Sequence, residues 1–181
     1  IDWQLDFKSG YRWSEKTWHI DTRYGTTPGV DIKVPWELAR MQHLPQLAIA
    51  FFLSSHGKEG FRSPDCYTGE FRNQILDFIA KNLPRFRLNW ACTMDAAIRA
   101  ANWLMAYDLF HAGNISFDSD FERFFARSLY EHGQHIIQNL ERSPESDLDG
   151  IGNHYLADIA GLLFIAAHLQ KTPEIDSWLA F

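Results

Sequence analysis

From residue 35 onward, apolar side chains recur at the three- and four-residue spacing of an α-helix, and no other feature constrains the fold as strongly. The periodic segments cover about 35–53, 69–82, 93–105 and 118–140, with further helices from about 153 and 172. Thr93, Asp118 and Thr172 can cap three of them, and Pro45 predicts an irregularity in the first. A loop rich in Gly, Ser and Pro is predicted over 54–64. The sequence therefore predicts an all-α fold of antiparallel helical pairs.

The first 33 residues have a different pattern. Trp3, Leu5 and Phe7 alternate with polar residues, and further aromatic residues follow among Gly, Ser and Thr. This pattern favours an extended aromatic arm, with short strands or irregular structure, that packs on the helices and does not fold alone. We therefore divide the chain into an arm over 1–33 and a helical domain over 34–181.

Charge and residue usage exclude several classes of partner. With 17 basic against 23 acidic side chains, the net charge of -6 argues against a nucleic-acid surface. The apolar runs are too short or too interrupted to span a bilayer. Cys66 and Cys92 form no metal-binding pattern, and His132 and His135 lack a nearby acidic third ligand. No metal and no cofactor are predicted.

The segment Gly150–Asp158 places an Asn-His pair on a glycine-rich turn at the start of an apolar helix. An amide donor beside a titratable imidazole, held at a helix N-terminus, can receive an anionic group. The simpler interpretation is that Asn153 is an N-cap and His154 a surface residue of the first turn. The residues alone leave both interpretations open.

Blocks of sequence follow one another along the chain as Asp31–Arg40, Asn89–Trp90 with Met94–Trp103, Tyr130–Gly133 and Asn153–Leu156. In this order they resemble the N-terminal helical domain of the heparinase II/III family of polysaccharide lyases. The resemblance spans most of the chain, and the ordered set is more specific than any single block. It favours the functional interpretation of Asn153 and His154.

The resemblance implies an incomplete α/α toroid that acts on an acidic polysaccharide, cleaving uronic-acid polymers by β-elimination. In the family, an Asn matching Asn153 neutralises the uronate carboxylate. The neighbouring His, matching His154, serves as base or helps this neutralisation. A tyrosine commonly supplies the base or acid, and Tyr155 does not occupy its position.

Side chains within or beside these blocks are the candidates for substrate contact: Trp36, Asn89, Trp90, Arg99, Asn102, Trp103 and Tyr155. Tryptophan rings suit sugar stacking, and loop residues between toroid helices often line the groove. Arg99, Asn102 and Trp103 share one helix face. Packing for Trp36 and an internal ion pair for Arg99 are the structural alternatives.

Two other function classes stay open. Glu145, Asp147 and Asp149 crowd the loop before Asn153, where paired carboxylates could serve an α/α-toroid glycoside hydrolase or bind calcium. A solvated acidic turn is the structural alternative for them. The domain could instead be a glycan-binding helical module without turnover.

The ends of the sequence suggest a piece of a longer protein. The chain begins at Ile1 without Met and stops at Phe181, shortly after a helix start at Thr172. We expect the rest of the toroid and a β-sandwich domain after Phe181, and slow or no turnover by this piece alone. A periplasmic or secreted bacterial location is expected for such a lyase, although no signal peptide opens the chain.

Overall fold

The computed structural model describes residues 1–142 and 151–180. The α-helices in these residues are α1 Lys33–Ala39, α2 Leu44–Ser55, α3 Pro64–Lys81, α4 Thr93–Ala112, α5 Ser119–Gln138, α6 Asn153–His168 and α7 Pro173–Ser177. Short 3₁₀ turns cover His19–Asp21 and Leu88–Trp90. Within the same residues, β-pairing is limited to isolated bridges, and no helix is long and apolar enough to cross a membrane. The all-α prediction is confirmed.

The helix bounds differ from the sequence prediction in several places, and α4 extends to Ala112, beyond the predicted 105. The first predicted helix is broken into α1 and α2, and Met41 between them has a φ of 53°, in the left-handed region. The break lies four residues before the predicted irregularity at Pro45, which instead occupies the first turn of α2. The second predicted helix begins earlier than expected, because Pro64 opens α3 where a loop was predicted.

Two of the predicted helix caps are confirmed. The Asp118 carboxylate accepts a hydrogen bond from the Phe121 N–H at 3.1 Å, and the Thr172 hydroxyl accepts one from Ile175 at 3.2 Å. The predicted cap at Thr93 is wrong, because its hydroxyl donates to the Asn139 carbonyl at 2.8 Å and its residue lies inside α4. The first turn of α4 is instead capped by the Glu141 carboxylate, which accepts the Met94 N–H.

The arm lies against the helices through buried polar and aromatic contacts. Trp3 is buried edge-on against Phe78 of α3, and its indole N–H donates to the Asp77 carboxylate at 2.9 Å. The Gln4 amide donates to Asn82 at the end of α3 at 2.8 Å. These contacts join the arm to α3, and Trp3 belongs to the same buried apolar core as the helices.

Helices α2, α4 and α6 lie side by side and run in the same direction. Early in α4 and midway along α6, Ala97 faces Gly161, and toward their ends Tyr107 meets His168 with ring centroids 5.2 Å apart. Trp103 of α4 contacts Met41, just before α2, and Phe110 meets Phe51 of α2 with ring centroids 5.4 Å apart, so α2 is also parallel to α4. The N-terminal ends of α4 and α6 lie at one edge of this layer.

Helices α3 and α5 form a second layer that runs in the opposite direction. Phe78 and Phe71 of α3 meet Trp103 and Phe110 of α4, at ring separations of 5.6 and 5.0 Å. The order of these contacts reverses along the two helices, so α3 is antiparallel to α4. For α5, the Arg99–His132 and Tyr107–Phe125 contacts with α4 reverse in the same way. Two such layers are compatible with part of an α/α toroid, and closure into a ring stays a prediction.

Helices α4 and α6 approach closely because residue 161 is glycine. A Cβ atom built on Gly161 would lie 2.6 Å from the Ala97 Cβ and 2.7 Å from its Cα. Neither atom can move without shifting the backbone of α4. The sequence places Gly161 inside an apolar helical period, where glycine otherwise weakens a helix.

We expect Gly161→Ala to destabilise the protein by roughly 1–3 kcal/mol, because the added methyl group overpacks the α4–α6 contact. Gly69→Ala in α3 is the matched control, since a Cβ there would meet no atom within 4 Å. That substitution should be neutral or stabilise by up to about 1 kcal/mol, through helix propensity. Urea unfolding of both variants measures the difference. Equal stability of the two would contradict the close approach.

Candidate functional site

The start of α6 lies beside the start of α4, and polar side chains from both helices meet there. His154 follows the first residue of α6, Cys92 precedes α4, and Glu141 lies shortly after the end of α5. One ligand-capable atom from each of these side chains lies within 4.8 Å of the other two. Because helix N-termini carry partial positive charge, this edge of the layer favours negative groups.

Glu141 connects the two helix starts. Its Oε2 accepts a hydrogen bond from the Met94 N–H at 2.7 Å, which caps α4 in place of the Thr93 hydroxyl. The same oxygen lies 3.3 Å from Nδ1 of His154. A carboxylate at this distance favours a proton on Nδ1 and leaves the lone pair of a neutral imidazole on Nε2. Glu141 therefore orients His154 with Nε2 as the nitrogen that can take a proton.

Asp158 holds the backbone of Glu141 in place. It is fully buried one turn after His154, and its Oδ2 accepts the Glu141 N–H at 2.8 Å. Burial raises the pKa of the Asp158 carboxyl to about 7, and the nearby Glu141 charge adds to this, while the Glu141 N–H and His154 act against it. The bond to the Glu141 backbone fixes the position from which the Glu141 side chain reaches His154.

Two arginines lie near the same helix starts. Arg40, at the end of α1, forms ion pairs with the buried Asp95 of α4 and with Glu37, the latter at 2.6 Å. Arg142 lies over the Tyr155 ring, 5.2 Å from its centroid, and donates to the Tyr155 hydroxyl at 3.3 Å. The charge of Arg40 is already balanced by carboxylates, so Arg142 is the better placed of the two to attract an anion.

A sequence model of a known family matches this chain over residues 1–181, its whole length, and its description is Heparinase II/III N-terminus. The chain belongs to the heparinase II/III N-terminal family. Neither the curated proteins nor the solved structures include a significant match to it. The match to the family model confirms the resemblance that the ordered sequence blocks indicated.

In this heparinase II/III N-terminal domain, the Asn-His pair is accessible. Asn153 is the first residue of α6 and is exposed, and the side chain of His154 is 45% exposed. Gly152 is the N-cap, so the simpler interpretation of Asn153 as the cap is not what the structure shows. Tyr155 is half-buried next to them. The residues 153–155 thus present an amide, an imidazole and a phenol at one helix start.

Trp36 is the remaining accessible aromatic candidate. It is half-buried on α1, one turn before Arg40, and its indole N–H donates to the Leu88 carbonyl at 2.8 Å. Tyr24 of the arm meets it edge-on, with ring centroids 5.5 Å apart. Part of the ring remains open to contact with a sugar, while its polar edge is used inside the protein.

Substrate contact does not fit the burial of Asn89, Trp90, Arg99 and Trp103, which are at most 1% exposed. The Asn89 amide donates to the Trp3 carbonyl and to Asn82, both at 2.9 Å. The Trp103 indole N–H donates to the Met41 sulfur at 2.9 Å. These side chains hold the arm, α1 and α4 together, and a sugar has no access to them.

Arg99 and Trp90 form a buried cluster with histidines of α5. The Arg99 Nε–H donates to Nε2 of His132 at 3.0 Å, and Nδ1 of His132 lies 2.7 Å from the Ser128 carbonyl. The Trp90 ring contacts His132 and His135, with centroid separations of 4.6 and 5.0 Å. Because both ring nitrogens of His132 are engaged, this cluster stabilises the packing of α4 on α5. The structural alternative for Arg99 was an internal ion pair; the structure places Arg99 inside the protein, but its hydrogen bonds go to the His132 imidazole and the Asn89 carbonyl and not to a carboxylate.

Asn102 also has a structural partner. It is half-buried in α4, and its amide donates to the Arg40 carbonyl at 2.9 Å. It thereby fixes the turn that ends α1 and holds Arg40 near Asp95. A direct sugar contact is not required to explain why an amide stands at this position.

Glu141, Asp158, Arg40 and Cys92 were not predicted as site residues. Arg40 and Cys92 lie in or beside the sequence blocks, and Asp158 closes the segment that contains Asn153. Glu141 lies in a short polar stretch that carries no pattern, and only the fold brings it to His154. The acidic residues Glu145, Asp147 and Asp149 lie outside the described residues.

A cavity of about 510 Å³ lies elsewhere, between the arm and the end of α3, and is lined in part by Arg12, Glu15, Lys81 and Arg87. Glu15 forms ion pairs with Arg12 and with Arg87, and Lys81 pairs with Asp77 at 2.6 Å. Its cations are therefore largely neutralised by carboxylates, so the cavity offers little attraction to an anionic sugar.

Proposed function

We propose that this chain provides the carboxylate-neutralising half of a polysaccharide lyase site, and that the site cleaves uronic-acid polymers by β-elimination. The observation that carries the proposal is the exposed Asn153–His154 pair at the start of α6, with Glu141 orienting His154 through Nδ1. Membership of the heparinase II/III N-terminal family supports it. We further propose that the two helix layers belong to an α/α toroid whose groove contains this pair.

The reaction removes the C5 proton of the uronate and expels the oxygen at C4. The electron pair of the broken C5–H bond forms a C4=C5 double bond, and the C4–O bond breaks with its pair on the leaving oxygen. Negative charge develops on the C6 carboxylate as the proton leaves. Donors placed at that carboxylate therefore stabilise the transition state more than the ground state.

Asn153 is suited to the neutralising role. Its amide has two N–H donors and adds no charge of its own, and it lies at the partly positive N-terminus of α6. Arg142 and Tyr155 extend this donor surface next to the pair. These local groups would have to attract an acidic polysaccharide, because the chain as a whole carries a charge of -6.

His154 is proposed as the proton acceptor through Nε2. Glu141 stabilises the imidazolium that forms when Nε2 takes the C5 proton, because the carboxylate lies against Nδ1. The leaving oxygen needs a separate donor, and we assign that role to a tyrosine of the remaining toroid, not to Tyr155. We also propose a periplasmic or secreted location, where such polymers are met.

The product identifies the reaction. Cleavage by β-elimination gives an unsaturated uronate that absorbs in the ultraviolet, whereas hydrolysis gives new reducing ends without this absorbance. The protein containing this domain should release absorbing product from one or more polymers in a panel of heparan, alginate and chondroitin. His154→Ala should reduce that rate by about 100-fold or more, as for loss of a general base.

Two results would reject the lyase. New reducing ends without ultraviolet absorbance would indicate the hydrolase alternative. Saturable binding without any product would indicate the glycan-binding module. His56→Ala is the matched control for the histidine substitution, since His56 is exposed at the end of α2 and should leave the rate unchanged.

A further inference from the structure

We propose that Cys92, Glu141 and His154 form a binding site for a transition-metal ion such as Zn²⁺, and that the bound ion inhibits the lyase reaction. The three side chains come from separate parts of the chain: the start of α4, the segment after α5 and the start of α6. They present a sulfur, a carboxylate oxygen and an imidazole nitrogen within 4.8 Å of one another. The inhibitory part rests on the proposed function, and the metal site does not.

Two of the three separations between the ligand atoms are close to those around one tetrahedral ion, and the third, between Cys92 and His154, is within 4.8 Å. Zinc lies about 2.3 Å from a thiolate sulfur and about 2.0–2.2 Å from imidazole nitrogen or carboxylate oxygen, so neighbouring ligand atoms lie roughly 3.3–3.6 Å apart. In the structure, Oε2 of Glu141 lies 3.3 Å from Nδ1 of His154 and 3.8 Å from Sγ of Cys92. Binding of the ion would draw the half-exposed His154 ring toward the Cys92 sulfur.

Carboxylates lie close to this point and can balance the charge of a bound cation. Sγ of the buried Cys92 lies 3.8 Å from Oε2 of Glu141, and the charge of Asp95 acts on the same thiol. A divalent ion that binds here replaces the thiol proton. The Met94 N–H donates to Oε2 of Glu141, the proposed ligand atom, and so fixes its position, as outer hydrogen bonds hold metal ligands.

The protein supplies three ligands, which leaves one position of a tetrahedral ion open. This position can take water or an anionic group, such as the carboxylate of a sugar acid. Since His154 is the most exposed of the three ligands, the open position lies on its side of the cluster.

Metal binding would change the chemistry of His154. An ion on Nδ1 uses the lone pair of that nitrogen, so the single proton of the neutral ring must reside on Nε2. A ring in this form can donate a hydrogen bond from Nε2 but cannot accept a proton there. The ion also binds the Glu141 carboxylate, which then no longer stabilises a protonated His154. The metal-bound protein therefore lacks the proposed base.

Cobalt binding tests the site without reference to activity. Reduced protein titrated with Co²⁺ should bind one ion per chain and show the charge-transfer absorption of a thiolate ligand. Cys92→Ser should abolish that absorption and weaken the apparent affinity by about 100-fold or more, since even outer-shell changes weaken metal sites by 10–100-fold. Cys66→Ser is the matched control and should bind as the wild type does, because Cys66 is exposed elsewhere.

The results separate the two parts of the proposal. No thiolate absorption in the wild type, or its persistence in a folded Cys92→Ser protein with an unchanged circular-dichroism spectrum, overturns the metal site. If cobalt binds as expected, Zn²⁺ should reduce product formation by the wild type and have at least tenfold less effect on Cys92→Ser. Equal inhibition of both overturns the inhibitory role. Cobalt binding in a protein that forms no unsaturated product leaves the site standing and rejects the lyase.

Discussion

Asn153→Ala should lower kcat for the unsaturated product by about 100-fold while changing KM little, as for removal of one donor from an oxyanion hole. The amide is proposed to act on charge that grows as the C5 proton leaves, so its loss is felt mainly in the transition state. Steady-state ultraviolet assays of wild type and variant, in the protein that contains this domain, measure both constants.

Asn73→Ala is the control for this substitution. Asn73 is an exposed asparagine within α3, far along the chain from the α6 start, and its loss should leave both constants unchanged. A raised KM with an unchanged kcat would show that Asn153 contributes only to ground-state binding. An unchanged kcat/KM would remove Asn153 from the site altogether.

The helices and two of the three predicted side-chain caps could be predicted because the signals are local. Apolar periodicity depends on residues three and four apart, and the Asp118 and Thr172 caps act over three residues. The predicted cap of α4, Thr93, was wrong because the Met94 N–H donates to Glu141, which lies 47 residues further along the chain. Thr93 and Glu141 could both satisfy that helix end, and only the packed fold decides between them.

Residue type predicted the important positions better than it predicted the roles of the side chains there. Arg99 and Trp90 suit sugar binding by their chemistry, yet the structure buries both in a cluster with His132. Stacking and donor groups stabilise a buried arginine as well as they bind a sugar, so residue type does not separate structural residues from candidates for substrate contact. The proposed role of His154 depends on Glu141, whose proximity follows from the parallel packing of α4 and α6.

The buried histidines of α5 should make the stability of the protein depend on pH. Burial lowers the pKa of His135 to about 3, with the charges of His19, Arg99 and Arg85 adding to this, and burial also lowers the pKa of His132. In the unfolded chain a histidine titrates near 6.5, so below that pH the unfolded state binds more protons than the folded state. The contribution of His135 to stability is therefore complete above about pH 6.5 and is lost as the pH falls toward 3.

Comparison with a variant isolates this effect from other titrations. The raised pKa of Asp158 acts in the opposite direction between about pH 4 and 7, and it is common to both proteins. The wild type loses stability as the pH falls below the unfolded-state pKa of 6.5, by about 1.36 kcal/mol per pH unit for His135. Because pH 5 lies roughly 1.5 units below that pKa, His135→Gln should lose about 2 kcal/mol less stability than the wild type between pH 7.5 and 5. Urea unfolding at both pH values gives the difference, and His56→Gln, at an exposed position, should behave as the wild type does. Parallel pH dependence of His135→Gln and wild type would show that His135 takes up its proton as readily in the folded as in the unfolded state, which contradicts the lowered pKa.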